Sequence, residues 1–255
     1  MKNKSISFKY IAKSIQRLAR YLYYITSFVI LSAVNSICNA QSRFEGFYGQ
    51  VGAGYESTGF SILNVVDTLP ASSYPPNGVS IPRPNPVINN STGFAGTMTL
   101  GYTYALTNQF LLGIGAEYSP FSQSTQNITD AGVMGTIAMT KSWNLFISPG
   151  YAIDDDKAIY TKLGYSRAKI TNSDTASGNQ TSTLLSGYSL GLGYKQFFAG
   201  EWYGFVETNF TAYRNYEISA PELFSYDHVA YTTGTNNKSI GAYSSNALLG
   251  IGYKF

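Results

Sequence analysis

The chain has 255 residues, a net charge of +3 and only 12% charged residues, about half the usual globular share. It carries 22 Tyr, 15 Phe and 25 Gly, and its mean hydropathy of -0.08 is ordinary. Beyond the first 40 residues no apolar run approaches the roughly 20 residues of a membrane helix, so the composition excludes helical spans and fits strands that meet lipid on one face.

The positive charge belongs to the N-terminal segment. Lys2, Lys4, Lys9, Lys13, Arg17 and Arg20 precede residue 41 with no acid among them, which leaves 11 of the 17 bases against 14 acids in the remainder. A nucleic-acid partner is therefore not expected. The basic stretch, the mostly apolar Tyr21–Ile37 and the small residues of Cys38-Asn39-Ala40 read as a secretory signal peptide over residues 1–40, cleaved before Gln41. An uncleaved anchor and lipidation of Cys38 are the rival readings. Cys38 is the only cysteine, so a mature domain spanning residues 41–255 would have no disulfide or thiolate chemistry.

Period-two alternation then recurs along the chain. The first strand is expected over Phe44–Glu56, with Phe47, Val51, Ala53 and Tyr55 opposite Tyr48, Gln50, Gly52 and Glu56. Ser57–Ser91 carries six prolines and reads as a loop. Strands follow over Thr92–Leu106 and Gln109–Tyr118, joined by a tight turn at Thr107-Asn108. Ser119–Lys141 reads as a second loop, although Gly135–Thr140 could lengthen the next strand, Ser142–Ile153. Asp154-Asp155-Asp156-Lys157 is a short turn before a strand over Ala158–Lys169. Ile170–Thr181 is polar loop, Ser182–Gln196 and Trp202–Tyr213 are strands with a turn between them, and Arg214–Tyr243 is a last long loop. The final strand shows Ala247, Leu249, Ile251, Tyr253 and Phe255 on one face.

Eight strands of crossing length, joined alternately by long and short connections, predict an all-β, closed antiparallel up-and-down transmembrane barrel. Ten strands result if Gly135–Thr140 or Phe224–Thr232 form extra ones. Closure is required because lipid cannot satisfy a free strand edge. Tyr102, Tyr104, Phe110, Tyr151, Tyr160, Tyr194, Trp202, Tyr253 and Phe255 lie near the short turns and read as an interfacial girdle. Gly113, Gly115, Gly191, Gly193, Gly250 and Gly252 fall on the inner faces, where they leave room for larger residues opposite.

Three stretches resemble the outer-membrane β-barrel superfamily of Gram-negative bacteria, which includes the OmpA-like transmembrane domain and the opacity and surface-antigen porins. They are Ser148–Ile153 continuing to Lys162–Ser166, Gly187–Tyr194, and Gly250–Phe255. The resemblance implies surface-exposed loops and insertion by the barrel-assembly machinery, which would read Leu249, Ile251, Tyr253 and Phe255 as an assembly signal. It also implies residence among outer-membrane lipids and lipopolysaccharide, as a monomer. Nothing follows Phe255, so peptidoglycan tethering is not carried over.

On these faces Glu117, Lys162, Lys195 and Glu207 point inward and are expected to form a polar network, with Lys162 and Glu207 paired, because interior charge is costly unless paired. Eight strands leave no open channel, so the network reads as a structural plug first and a gated pore second. His228, the only histidine, has no Ser or acid at a hydrolase spacing, and no catalytic residue is expected. No metal or cofactor motif is present; Asp154–Asp156 lacks the spacing of a calcium loop. The Asn-x-Thr triplets at Asn127 and Asn209 carry no weight. The expected role is a structural, adhesion or surface-antigen protein with an extracellular partner at its loops. A small porin is the alternative, and a soluble secreted ligand-binding barrel the third reading.

Overall fold

The structure, a computed structural model, describes residues 42–69, 78–85, 88–125, 128–130, 133–174, 180–226 and 229–255. The signal-peptide reading of residues 1–40 and the loop histidine, His228, lie outside the described residues. The strands are β1 (Gly46–Leu69), β2 (Val79–Pro82), β3 (Ser91–Ala105), β4 (Phe110–Ser119), β5 (Gln123–Ser124) and β6 (Ile128–Asp130). They continue with β7 (Val133–Ala152), β8 (Lys157–Asp174), β9 (Gln180–Ala199), β10 (Trp202–Tyr213), β11 (Tyr216–Tyr226) and β12 (Val229–Lys254).

Eight of them close a ring in the order β1-β3-β4-β7-β8-β9-β10-β12, and β12 returns to β1 over Tyr48↔Lys254 to Thr68↔Thr235. Every neighbouring pair is antiparallel. Phe255 N donates to Phe47 O at 2.8 Å and completes the seam at the chain's end. The register runs Tyr48–Gly101–Gly115–Phe146–Gly164–Ser189–Thr211–Ser244 and re-enters β1 at Thr58, ten residues above its start. Such a stagger tilts the strands by roughly 40° to the barrel axis.

Two expected loops are strands. β1 continues to Leu69 and pairs with β2, while β11 and β12 form a long hairpin inside Arg214–Tyr243. Prolines are tolerated there because β2 and β11 are edge strands, with Pro82 at the end of β2 and Pro221 within β11. Gly135–Thr140 lengthens β7 rather than adding a crossing, and Phe224–Thr232 falls in the β11–β12 hairpin, so eight strands close the ring. β8 and β9 likewise extend into the expected Ile170–Thr181 loop. The strands grow tall at the hairpin end because their alternation continues past the membrane and each extension finds a partner.

The interior is layered. A lower cluster holds Phe44, Leu111, Phe197, Tyr203, Phe205 and Leu248. An upper cluster, inside the hairpin extensions, holds Phe60, Ile62, Val65, Ile137, Ile170, Leu185 and Ile240. Buried polar residues, among them Gln50, Thr97, Thr99, Lys162, Ser166, Glu207 and Asn209, fill the layer between them. The inner glycines carry the larger rings opposite: a Cβ on Gly193 would run into the Tyr160 ring and one on Gly252 into the Tyr203 ring.

Candidate functional site

The polar layer centres on one lysine. Lys162 on β8 is 2% exposed and its Nζ lies 2.8 Å from Glu207 Oε1 on β10 and 2.6 Å from Glu117 Oε2 on β4. Glu207 also accepts from Asn209 Nδ2 at 2.8 Å and, through Oε2, from the Tyr160 hydroxyl at 2.9 Å. Thr99 Oγ1 donates to Glu117 Oε2 at 3.2 Å, and the ammonium stands 4.5 Å from the Phe146 ring centroid. Each lobe of the charge is therefore met, which is the condition for keeping ions inside a barrel. The sequence reading does not place Tyr160, Asn209 or Thr99 in the network; it puts Tyr160 in the girdle. Tyr160 and Asn209 each lie one inward step from a charged member, at positions 160/162 and 207/209, and that spacing is the signal that could have found them. Tyr160 is thus an interior residue and not part of the girdle, because it shares the inward parity of Lys162.

A cavity of about 20 Å³ lies on the short-turn side of the cluster, lined by Gln50, Tyr48, Tyr160, Lys162, Lys195 and Glu207. A second of about 30 Å³ lies on the hairpin side, lined by Glu56, Thr97, Glu117, Asn144, Asn209 and Asn246. Each is room for one or two waters. Asn144 Oδ1 accepts from Ser166 and Ser189 at 3.1 and 3.0 Å, and Asn209 bonds Asn246 at 3.0 Å across that second cavity. Lys195 stands apart from the ion cluster. Its Nζ sits among the rings of Phe44, Tyr48, Tyr160 and Tyr203, 5.2 to 5.8 Å from their centroids, and among the described residues no carboxylate pairs with it. The four inward charges are therefore one triad and one caged cation, because the register carries Lys195 below the level of Glu207: it pairs with Phe205, nearer the short turns.

The outer surface decides the environment. Val51, Met98, Leu100, Ile114, Leu145, Ile147, Leu163, Leu190, Leu192, Val206, Leu249 and Ile251 are all exposed, and together they wrap the ring. Outward aromatics bound this belt at both ends. Phe47 and Tyr55, Tyr102 and Phe94, Phe110 and Tyr118, Tyr151 and Trp143, and Trp202 and Phe210 each stand eight residues apart on one strand. Eight residues span about 26 Å along a strand, or roughly 20 Å along the axis at this tilt, a little less than the ~25 Å apolar band of transmembrane barrels. An all-round apolar belt and a polar interior invert the pattern of a soluble barrel. The chain is a transmembrane β-barrel of the outer-membrane type.

Several solved outer-membrane barrels are similar to it. The attachment invasion locus protein Ail of Yersinia pestis is 15% identical over 83% of this chain and 99% of that one, with a TM-score of 0.37. The outer membrane protein OprG from Pseudomonas aeruginosa is 11% identical over 85% and 99%, with a TM-score of 0.48. The outer membrane protease OmpT from Escherichia coli is 9% identical over 86% and 99%, with a TM-score of 0.47. No protein-family model matches the sequence, and no curated protein matches it significantly.

The barrel's short-turn mouth is covered from within by the residues just before β1. Phe44 is buried against Phe197, ring centroids 5.1 Å apart. Arg43 pairs with Asp156 in the β7–β8 turn, donates to Gly200 O in the β9–β10 turn, and lies 4.4 Å from the Phe197 centroid. In the β7–β8 turn Asp154 Oδ1 accepts from Asp156 N and Lys157 N at 2.9 and 2.8 Å, and Oδ2 takes Lys157 Nζ at 2.9 Å. The bond from Lys157, followed by the backbone amides, holds the Asp154 carboxyl below its ordinary range. Among the described residues no group of three or more His, Cys, Asp or Glu could hold a metal.

At the C-terminus Leu249, Ile251 and Phe255 face outward; Phe255 stacks edge-on to Tyr253 at 5.3 Å, and Tyr253 to Trp202 at 5.1 Å. Asn209 lies inside the barrel, where a glycan acceptor has no place.

Proposed function

We propose that this barrel is a non-enzymatic surface protein of the outer membrane, with a structural, adhesion or surface-antigen role. In this reading the ring is an anchor, and the tall β1–β2 and β11–β12 hairpins present the binding surface to an extracellular partner. The supporting observation is the interior: Lys162 is tied to Glu117 and Glu207 across the lumen, and the spaces on either side of it are only of water size. The chain works as a monomer among outer-membrane lipids and lipopolysaccharide. It is delivered by the barrel-assembly machinery through Leu249, Ile251, Tyr253 and Phe255, after removal of residues 1–40. No cofactor takes part.

A small porin-like channel is the second reading, favoured by the two polar cavities that flank the charged triad. Single-channel recording in a planar bilayer separates the two. Refolded protein, first shown by its heat-modifiable band on a gel to be a closed barrel, is expected to leave the bilayer silent. Discrete, reproducible conductance steps would overturn the anchor reading in favour of the channel.

A further inference from the structure

Beyond the outer ring of aromatics, charge is distributed unevenly. Take the four residues that follow the outer aromatic on each ring strand: after Tyr55, Tyr118, Tyr165 and Phe210 going up, and before Phe94, Trp143, Tyr188 and Tyr243 on the strands that run down. The charged residues in that band are Glu56, Lys141, Arg167, Lys169 and Arg214. Glu56 faces the lumen, where it accepts from Thr58 Oγ1 at 3.1 Å. The four bases lie on β7, β8 and at the end of β10, around β9, with no acid among them.

Local structure presents these bases to the membrane surface. Lys141 is the bulge residue of β7, with a φ of 50°, and it is exposed where the register slips between Thr140 and Ser142. Lys169 is exposed on the outward parity of β8, two residues above Arg167. Arg167 stands opposite Trp143, and its Nε is buried without a hydrogen-bond partner. Arg214 donates to the Tyr188 hydroxyl at 3.1 Å and lies 5.5 Å from that ring's centroid. Directly beneath runs a ledge of edge-on rings, Trp143–Tyr165–Tyr188, with centroids 6.2 and 6.0 Å apart. Among the described residues none of the four bases pairs with a carboxylate.

The opposite rim is unlike this one. Around the short turns Glu45, Asp154, Asp155, Asp156 and Glu201 accompany Arg43, Lys157 and Lys254, and each of those three bases has its carboxylate. Unneutralised bases at headgroup height on one side of a barrel attract anionic headgroups, with an attraction confined to about a Debye length. The planar donor fork of a guanidinium suits phosphate oxygens in particular.

We propose that Lys141, Arg167, Lys169 and Arg214 form a binding site for a phosphate-bearing glycolipid headgroup of the outer leaflet, whose acyl chains lie against the Trp143–Tyr165–Tyr188 ledge. The assignment rests on the hairpin end facing outward. The site needs both parts: the bases hold phosphate, and the rings and the apolar belt below them hold the chains. Inorganic phosphate, which offers only the first part, binds weakly.

The test uses refolded full barrel in zwitterionic detergent, titrated with bisphosphorylated lipid A and followed by native mass spectrometry. Phosphatidylcholine and inorganic phosphate are the comparison ligands. Lipid A is expected to bind in preference to both, and to weaken as salt rises. Lys141→Gln/Lys169→Gln, both at exposed positions, should weaken it by roughly fivefold per base, and adding Arg167→Gln and Arg214→Gln should weaken it further. Lys157→Gln/Lys254→Gln, at the other rim, should leave it unchanged. Each variant is first checked for its heat-modifiable band, so a lost barrel is distinguished from a lost site. Equal binding by the folded Lys141/Lys169 variant and the parent, equal loss in the opposite-rim variant, or binding of inorganic phosphate as tight as that of lipid A would each overturn the proposal.

Discussion

Lys162 Nζ and Glu207 Oε1 meet at 2.8 Å in the middle of the barrel, from strands whose residues are 45 positions apart. Glu117 completes the triad from the far side at 2.6 Å. One cation thus holds two carboxylates on β4 and β10 against a third strand, β8. The triad ties the wall together across the lumen, which the backbone ladder does not do.

Removing the lysine leaves two buried carboxylates facing one another. Lys162→Met is expected to destabilise the barrel by about 3–5 kcal/mol, the usual cost of orphaning a buried charge. Glu117→Gln should cost less, because Glu207 keeps Lys162, Tyr160 and Asn209. Replacing all three together by Met, Gln and Gln should recover much of the loss. Urea midpoints of the heat-modifiable band check this ordering. A triple variant no better than Lys162→Met would show that the charges are not the source of the penalty.

Gly252 lies against the face of Tyr203, whose hydroxyl donates to Gln50 Oε1 at 3.1 Å. Gly252→Val is expected to cost about 1–3 kcal/mol by overpacking, and Tyr203→Ala about 3–5 kcal/mol by leaving a void. The two are coupled, so the double variant should fall short of their sum by at least about 1 kcal/mol. Gly204→Ala is the control: a Cβ there meets only Gly250 O at 3.9 Å, and stability should hold. A double-mutant cycle in urea measures the coupling, and strict additivity would contradict the ring-on-glycine packing.

Asp154 sits in a turn outside the apolar belt with its carboxyl held below the ordinary 3.8. A group whose folded value is depressed contributes stability above its unfolded value, and that contribution disappears as pH falls through the folded one. The Asp154 contribution is therefore present from about pH 4 upward and is lost in stronger acid. Asp154→Asn keeps an acceptor for the amides of Asp156 and Lys157 but cannot titrate. The difference in urea midpoint between pH 3 and pH 7 should shrink in Asp154→Asn relative to the parent. The effect is small because the group is fully exposed, and an unchanged difference would place the acid sensitivity elsewhere.

The membrane-crossing parts were legible because lipid on one side and a packed lumen on the other impose strict alternation. Trp202–Tyr213 emerges with the bounds read from its pattern, and the turn expected at Asp154–Lys157 lies one residue earlier, between Ala152 and Lys157. The tall hairpins were not legible. Their outer strands, β2 and β11, are edges outside lipid, where proline is tolerated and strict alternation is not imposed, so Ser57–Ser91 and Arg214–Tyr243 read as loops. Tyr160 was misplaced for another reason: an aromatic near a turn suits both a girdle and a lumen, and parity with Lys162 had to take precedence over proximity to the turn.

The amino-acid sequence by itself determined a closed barrel of eight or ten crossings and the two faces of each crossing strand, since a period of two offers each residue only two directions; the ring of eight came from the structure. The sequence did not determine which inward residues meet. That came from the ten-residue stagger of the ring, which lifts each strand relative to the next and brings Glu117, Lys162 and Glu207 to one height while leaving Lys195 among rings below. Parity is a local property of the chain, whereas height is a sum over every register around the circle, and only the closed structure fixes that sum.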